Sequence, residues 1–177
     1  QPLGSNSKTP PSQALPTVIP SLDMHQVVSV ATGSDHSIVV TSTHSVYTWG
    51  CGKQKAQGSP LGHGPKDTFS YALPKRVEFL QGQQATECFA GGASSFVLTK
   101  RRAVFSWGRG SYGQLGHGTA SDEARPKVID GLQGFSITTI TASERHTVAL
   151  DDDGAVYSWG SNTFGQLGHG KSDPEPV

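Results

Sequence analysis

Short runs along this chain alternate apolar and polar residues with period two, and the runs recur. Val46-Tyr47-Thr48-Trp49, Val104-Phe105-Ser106-Trp107 and Val156-Tyr157-Ser158-Trp159 carry all three tryptophans of the sequence. Period two with β-branched and aromatic residues predicts strands. Tyr47, Phe105 and Tyr157 then share a face with Trp49, Trp107 and Trp159. The valines share the other face with the small hydroxyl residues. A large face opposite a small one suits sheets stacked face to face. Gly50, Gly108 and Gly160 end the runs and permit turns with positive φ. Leu61, Leu115 and Leu167 are the lone apolar residues of the loops that follow. Each reads as a plug that pins its loop onto the sheet.

The longest repeated stretch runs from Val104 to Gly118 and returns 52 residues later, from Val156 to Gly170. A looser copy begins at Val46. A period near 50 residues with aromatic and glycine punctuation predicts a repeat array, most often a β-propeller. The register inside each copy is strict: His36, Ser94 and His146 each stand 13 residues before their tryptophan. Further strands are predicted at Val27–Ala31 and Ser37–Val40, at Cys88–Leu98 around a glycine turn, and at Ile137–Ala142 and Thr147–Leu150. Hairpin tips fall at Thr41–Ser45, Lys100–Arg102 and Asp151–Gly154. Segments ending in Pro and Val (73–77, 125–128 and 174–177) read as edge strands, where proline is tolerated. Residues 1–24 hold five of the 11 prolines and predict a flexible leader. Its first five residues resemble the scar of a cleaved expression tag. The repeats then span 25–84, 85–136 and 137–177.

Composition narrows the functional classes. Hydrophobic residues make up only 34% and glycines number 22, which suits short strands joined by turns. The 14 basic and 14 acidic residues cancel, so nucleic acid is not expected as a direct ligand. No apolar run approaches the ~20 residues of a membrane span. Cys51 and Cys88 occupy unrelated repeat positions and form no disulfide framework, which favours an intracellular compartment, cytoplasmic or nuclear.

The recurring elements resemble the regulator-of-chromosome-condensation family. Its unit is similar to Gly-x-x-His-Thr, a hairpin, Val-Tyr-Ser-Trp-Gly, Tyr-Gly-Gln-Leu-Gly and Pro-x-x-Val, and Ser143–Val177 follows it closely. The resemblance covers residues 27–177. It implies an all-β fold of propeller blades, about three repeats of a ring that has seven in the family. The first repeat departs by four extra residues between Trp49 and Leu61. That loop resembles propellers attached to NIMA-related kinases, which adds a regulatory kinase tail to the readings. The family's founding member is a nucleotide exchange factor for a small GTPase, and others are protein-docking platforms. A photoreceptor of the family places its chromophore tryptophan where this chain has Glu144, so that property does not carry over.

Candidate chemistry is sparse. His63, His117 and His169 recur at one position, so neighbouring copies should lie more than about 10 Å apart. A zinc ion needs ligands at about 2.0–2.1 Å. They are therefore expected to order loops, with no metal and no cofactor. His36 and His146 are expected to tie the glycine turn to a backbone carbonyl. No Gly-x-Ser-x-Gly elbow is present. Gly108-Arg109-Gly110 precedes a loop and lacks the helix N-terminus of a phosphate cradle. Asp151-Asp152-Asp153-Gly154 lacks the spaced ligands of a calcium loop and reads as a hairpin tip. No catalytic residue emerges. The expected function is a non-enzymatic protein-interaction module, with exchange on a small GTPase as the alternative. The candidate interaction residues are Lys100, Arg101 and Arg102 beside Asp151, Asp152 and Asp153. Open end blades predict self-association.

Overall fold

The computed structural model describes residues 15–52, 58–65, 70–170 and 172. It contains three antiparallel sheets that follow one another along the chain. Blade 1 holds β1 (Val27–Thr32), β2 (His36–Thr41), β3 (Val46–Gly50) and β4 (Tyr71–Arg76). Blade 2 holds β5 (Ala85–Gly91), β6 (Ser94–Thr99), β7 (Val104–Gly108) and β8 (Glu123–Val128). Blade 3 holds β9 (Ile137–Ala142), β10 (His146–Asp151) and β11 (Val156–Gly160). In each sheet every strand pairs with its sequence neighbour, so the blade is a simple meander. The expected all-β partial propeller is what forms.

The proline-containing strands β4 and β8 lie at the outer edges of their sheets. One side of an edge strand needs no ladder donor, so Pro74 and Pro126 are accommodated. The third such segment, 174–177, lies outside the described residues. The inner strands bring the blades together: β1 and β2 pack on β5, and β5 packs on β9. A short 3₁₀ turn follows each outer strand, at Glu78–Leu80 and Asp130–Leu132. Pro20–Leu22 forms the same turn five residues before β1. The expectation of a leader through residue 24 is therefore corrected. Ile19 and Leu22 hold the repeat positions of Val77 and Leu80, and residues 1–14 of the expected leader lie outside the described residues.

The core lies in two seams between blades. In the first, Ile38, Val40, Val46, Val77 and Leu80 of blade 1 meet Cys88, Val97 and Trp107 of blade 2. In the second, Phe96, Leu98, Val104, Ile129 and Leu132 meet Ile137, Ile140 and Ala149 of blade 3. Each fully buried aliphatic side chain contributes roughly 1.5–3 kcal/mol. The period-two alternation gives every blade two apolar faces, and each seam joins the far face of one blade to the near face of the next.

Candidate interaction surface and blade seams

The hydroxyl on the small face of each third strand ties down the loop that follows. Thr48, Ser106 and Ser158 donate to the carbonyls of Leu61, Leu115 and Leu167, each at 2.7 Å. The same hydroxyls lie 3.2, 3.0 and 3.0 Å from Nε2 of His63, His117 and His169. A hydroxyl that donates its only proton must accept from the ring, which places the imidazole proton on Nε2. Burial, then the charge of Lys127, holds the His117 pKa below the usual histidine value. Among the described residues no group of three or more His, Cys, Asp or Glu side chains is placed to hold a metal ion.

The tryptophans reach across the seams. The Trp107 indole N–H donates to the Pro60 carbonyl at 2.8 Å, and Trp159 donates to the Gln114 carbonyl at 2.8 Å. Ser95 and Thr147 donate to those same carbonyls at 2.8 and 2.9 Å. The first two loops are thus each pinned to their own sheet by a hydroxyl and to the next blade by two donors. Leu61 and Leu115 are fully buried between two sheets, whereas Leu167, in the loop of the last described blade, is half-buried. The loop leucines therefore plug seams as well as sheets. Pro60 and Gln114 went unnoticed in the sequence because their functional atom is a backbone carbonyl.

Two glycine positions are dictated by close approach. Gly108 has φ +106°, and a Cβ there would fall 2.2 Å from the Ala93 carbonyl oxygen. Gly50 and Gly160 repeat this against Asp35 and Arg145. Gly62 has φ +77°, and its Cβ would lie 2.7 Å from Trp107 Nε1. The clamped loop and the tryptophan leave no room for a side chain.

The expectation for His36 and His146 is corrected, since neither binds a backbone carbonyl through its ring. His36 Nε2 lies 2.8 Å from Ser95 Oγ, across the first seam. Because Ser95 donates to Pro60, His36 is the donor in that contact. Its Nδ1 is buried without a partner. Burial pushes the His36 pKa down to about 4, against a smaller opposing pull from Asp35. His146 Nδ1 pairs within its own turn, 2.8 Å from Ser143 Oγ. No disulfide joins Cys51 to Cys88.

The hairpin tips crowd one side of the blades. Lys100, Arg101 and Arg102 are exposed on the blade 2 tip, and Asp152 and Asp153 are exposed on the blade 3 tip. Arg102 Nη1 pairs with Asp152 Oδ2 at 2.8 Å, and this contact lowers the Asp152 pKa. Asp151 is different, and its assignment to a solvated acidic tip is corrected. It is only 6% exposed and ends β10. Its Oδ1 accepts from the backbone N–H groups of Asp153 and Ala155 at 3.1 and 2.8 Å, and its Oδ2 accepts from the Tyr157 hydroxyl at 2.8 Å. Thr41 and Thr99 do the same work at the equivalent positions, accepting from Ser45 and Ala103. That register match was readable in the sequence and identifies Asp151 as the turn former.

The opposite side carries a cluster that the sequence did not reveal. The Tyr112 ring lies between the guanidinium groups of Arg109 and Arg145, at 5.3 and 4.8 Å from its centroid. Arg109 also pairs with Glu144 at 3.1 Å. Only the seam between blades 2 and 3 brings these residues together. No helix among the described residues is long and apolar enough to cross a membrane.

The sequence pattern of the regulator of chromosome condensation (RCC1) repeat matches residues 43–98 and 103–150, and a second pattern for that repeat matches 27–54 and 137–166. The chain is 39% identical over 166 residues to the human E3 ubiquitin-protein ligase HERC2, a match over 89% of this chain and 3% of that protein. It is 36% identical over 156 residues to the Arabidopsis thaliana ultraviolet-B receptor UVR8, over 88% of this chain and 34% of the receptor. The chain thus spans a minor part of the curated relatives it matches. Among solved structures, human WBSCR16 superposes with a TM-score of 0.70 at 26% identity, over 86% of this chain and 39% of that one. Saccharomyces cerevisiae Prp20p, whose structure was described with its binding to Gsp1p and histones, superposes with a TM-score of 0.66 at 22% identity, over 80% of this chain and 35% of that one. With three blades that repeat one hydrogen-bonded seam, and a repeat pattern matched across more than half its length, this chain belongs to the regulator of chromosome condensation (RCC1) repeat family.

Proposed function

We propose that the chain is a non-enzymatic protein-interaction module, and that it docks a protein partner through the rim of hairpin tips. The observation that carries this reading is the juxtaposition of Lys100, Arg101 and Arg102 with Asp152 and Asp153, bridged by the exposed Arg102–Asp152 pair. The seams are held by buried apolar side chains and indole hydrogen bonds, so the rim charges are not needed to hold the blades together. Lys100 and Arg101 form no ion pair with another described residue, and neither does Asp153. A rim with one basic and one acidic tip selects a partner of opposite pattern and steers its approach. Prp20p was described with its binding to Gsp1p and histones, and here this supports only the class of protein partners.

Affinity capture from a cell extract, with wild type beside a Lys100→Glu/Arg101→Glu variant, tests the rim. Loss of the same bound proteins in the variant and in raised salt is the expected outcome. An unchanged set would remove the rim from the function. Accelerated nucleotide release from a GTPase panel would replace the docking reading with an exchange activity.

A further inference from the structure

The two seams carry one cleft twice, and the second copy differs in its chemistry. Each cleft lies between the hairpin tip and outer strand of one blade and the 3₁₀ connection to the next. Val46, Val77 and Leu80 line it in the first seam, and Val104, Ile129 and Leu132 line it at the same repeat positions in the second. The first cleft holds about 120 Å³ and the second about 400 Å³. Only the second reaches the ~300–1,000 Å³ typical of pockets that take a ligand.

A single tip position accounts for much of the difference. His44 and Arg102 are equivalent, and both have a left-handed backbone, with φ of 63° and 62°. His44 reaches across to the start of β5, where Nδ1 donates to the Ala85 carbonyl at 2.8 Å. Its side chain thereby narrows the first cleft. Arg102 instead extends to Asp152, and the second cleft stays open. Val128 stands there in place of Arg76, and Phe135 adds an aromatic wall that is 42% exposed. The Tyr157 ring steadies that wall, with 5.0 Å between the ring centroids. Gln83, the repeat equivalent of Phe135, does not line the first cleft.

Charge brackets the second cleft. Arg101 and Arg102 form one edge. At the other edge the Ser136 carbonyl, next to Phe135, accepts the backbone N–H of Asp152 at 3.0 Å, so the acidic tip begins beside the aromatic wall. We propose that this cleft is the anchor site of the rim. It takes an aromatic or leucine side chain from a segment of a protein partner; acidic residues on one side of that anchor lie over Lys100 and Arg101, and basic residues on its other side lie over Asp153. The proposal rests on the docking reading of the rim and adds the sequence that the partner must present. Water-exposed rim charges contribute little affinity by themselves. A side chain buried in an apolar cleft supplies it, and the charges on either side set the direction of the segment.

Fluorescence anisotropy with the 177-residue chain provides the test. The probes are synthetic peptides, amidated at the C-terminus, with two glutamates, one phenylalanine and two lysines in that order or in the reverse. Wild type is expected to bind one of the two orders, and on the order of 10-fold more weakly when serine replaces the phenylalanine. Phe135→Gln copies the first seam at that position and keeps every rim charge. It should retain the wild-type circular dichroism and weaken peptide binding on the order of 10-fold. Arg102→His, which installs the equivalent of His44, should do the same. Binding of neither order above the serine form, or unchanged binding by Phe135→Gln, would overturn the proposal. So would binding confined to peptides with a free terminal carboxylate, or full competition by phenylacetate, since the occupant would then be a chain end or a small molecule. Affinity capture separates this outcome from failure of the rim itself: proteins lost with Lys100→Glu/Arg101→Glu but kept with Phe135→Gln would leave the rim standing and overturn the cleft.

Discussion

Trp49, Trp107 and Trp159 hold one repeat position and carry three different burdens. Trp107 is fully buried and hydrogen-bonded across a seam. Trp159 makes the same bond but is half-buried, and the Trp49 indole N–H meets no acceptor among the described residues. Alanine at Trp107 should cost ~3–5 kcal/mol. The cost should fall at Trp159 and be least at Trp49, as read by urea unfolding of the three variants. Equal costs would mean that the seam is not where the indoles act. His36 gives a pH dependence with a definite sign. Its folded pKa of about 4 lies below the ordinary histidine value of 6.5, so the unfolded chain takes up the proton first. Its stabilisation is intact above pH 6.5 and is lost as pH falls toward 4. At pH 5 the loss is about 2 kcal/mol. His36→Ser copies Ser94 at the same position and should flatten melting temperature against pH between 7 and 5. A slope identical to wild type would exclude His36 as its source.

At the scale of the element, the hairpin turn is the unit that recurs with different chemistry. Thr41, Thr99 and Asp151 each close their turn by accepting a backbone N–H four residues ahead. Asp151→Thr should therefore be tolerated, while Asp151→Ala leaves two backbone donors and the Tyr157 hydroxyl without their acceptor. A loss of ~1–3 kcal/mol is expected for the alanine, by thermal or urea unfolding, and much less for the threonine. Most inner strands were legible to within about one residue, because period-two alternation and the glycine stops act locally, whereas β5 begins three residues, and β4 and β8 two residues, before the expected start. The turn chemistry was legible only through the repeat register, since an Asp-Asp-Asp-Gly run looks solvated until its first member is placed beside Thr41 and Thr99. The donor pair behind each seam, Trp107 with Ser95 or Trp159 with Thr147, was half visible. Both residues stood out in the register, but their shared acceptor did not.

The described residues form a row of three blades, and within that row the middle blade is covered on both faces. Stability in such arrays is close to a sum over units and their nearest-neighbour interfaces. Blade 2 contributes to both hydrophobic clusters, while blades 1 and 3 contribute to one each. Amide hydrogen exchange should therefore be slowest in β6 and β7 and fastest in the end sheets. Uniform protection across the blades would show that the two seams do not set the stability of the sheets. The apolar positions that protect blade 2 are the same type as those left open at the ends, which is why neither end face looks unusual in the sequence.

Local chemistry determined the strands, their faces, the glycine stops and the repeat boundaries, because each depends on residues only a few positions apart. From these the family and the partial propeller followed. Tertiary structure alone decided where the loops are clamped, because the acceptors are backbone carbonyls of the preceding blade. It also decided that Asp151 turns inward while Asp152 meets Arg102, that Tyr112 sits between two arginines from different blades, and that Pro20–Leu22 belongs to the repeat. Each of these is a contact between residues far apart in the chain, or a geometry with no side-chain signature. Pattern along a sequence records what one strand needs from its sheet; only the packed seam shows what one blade needs from the next.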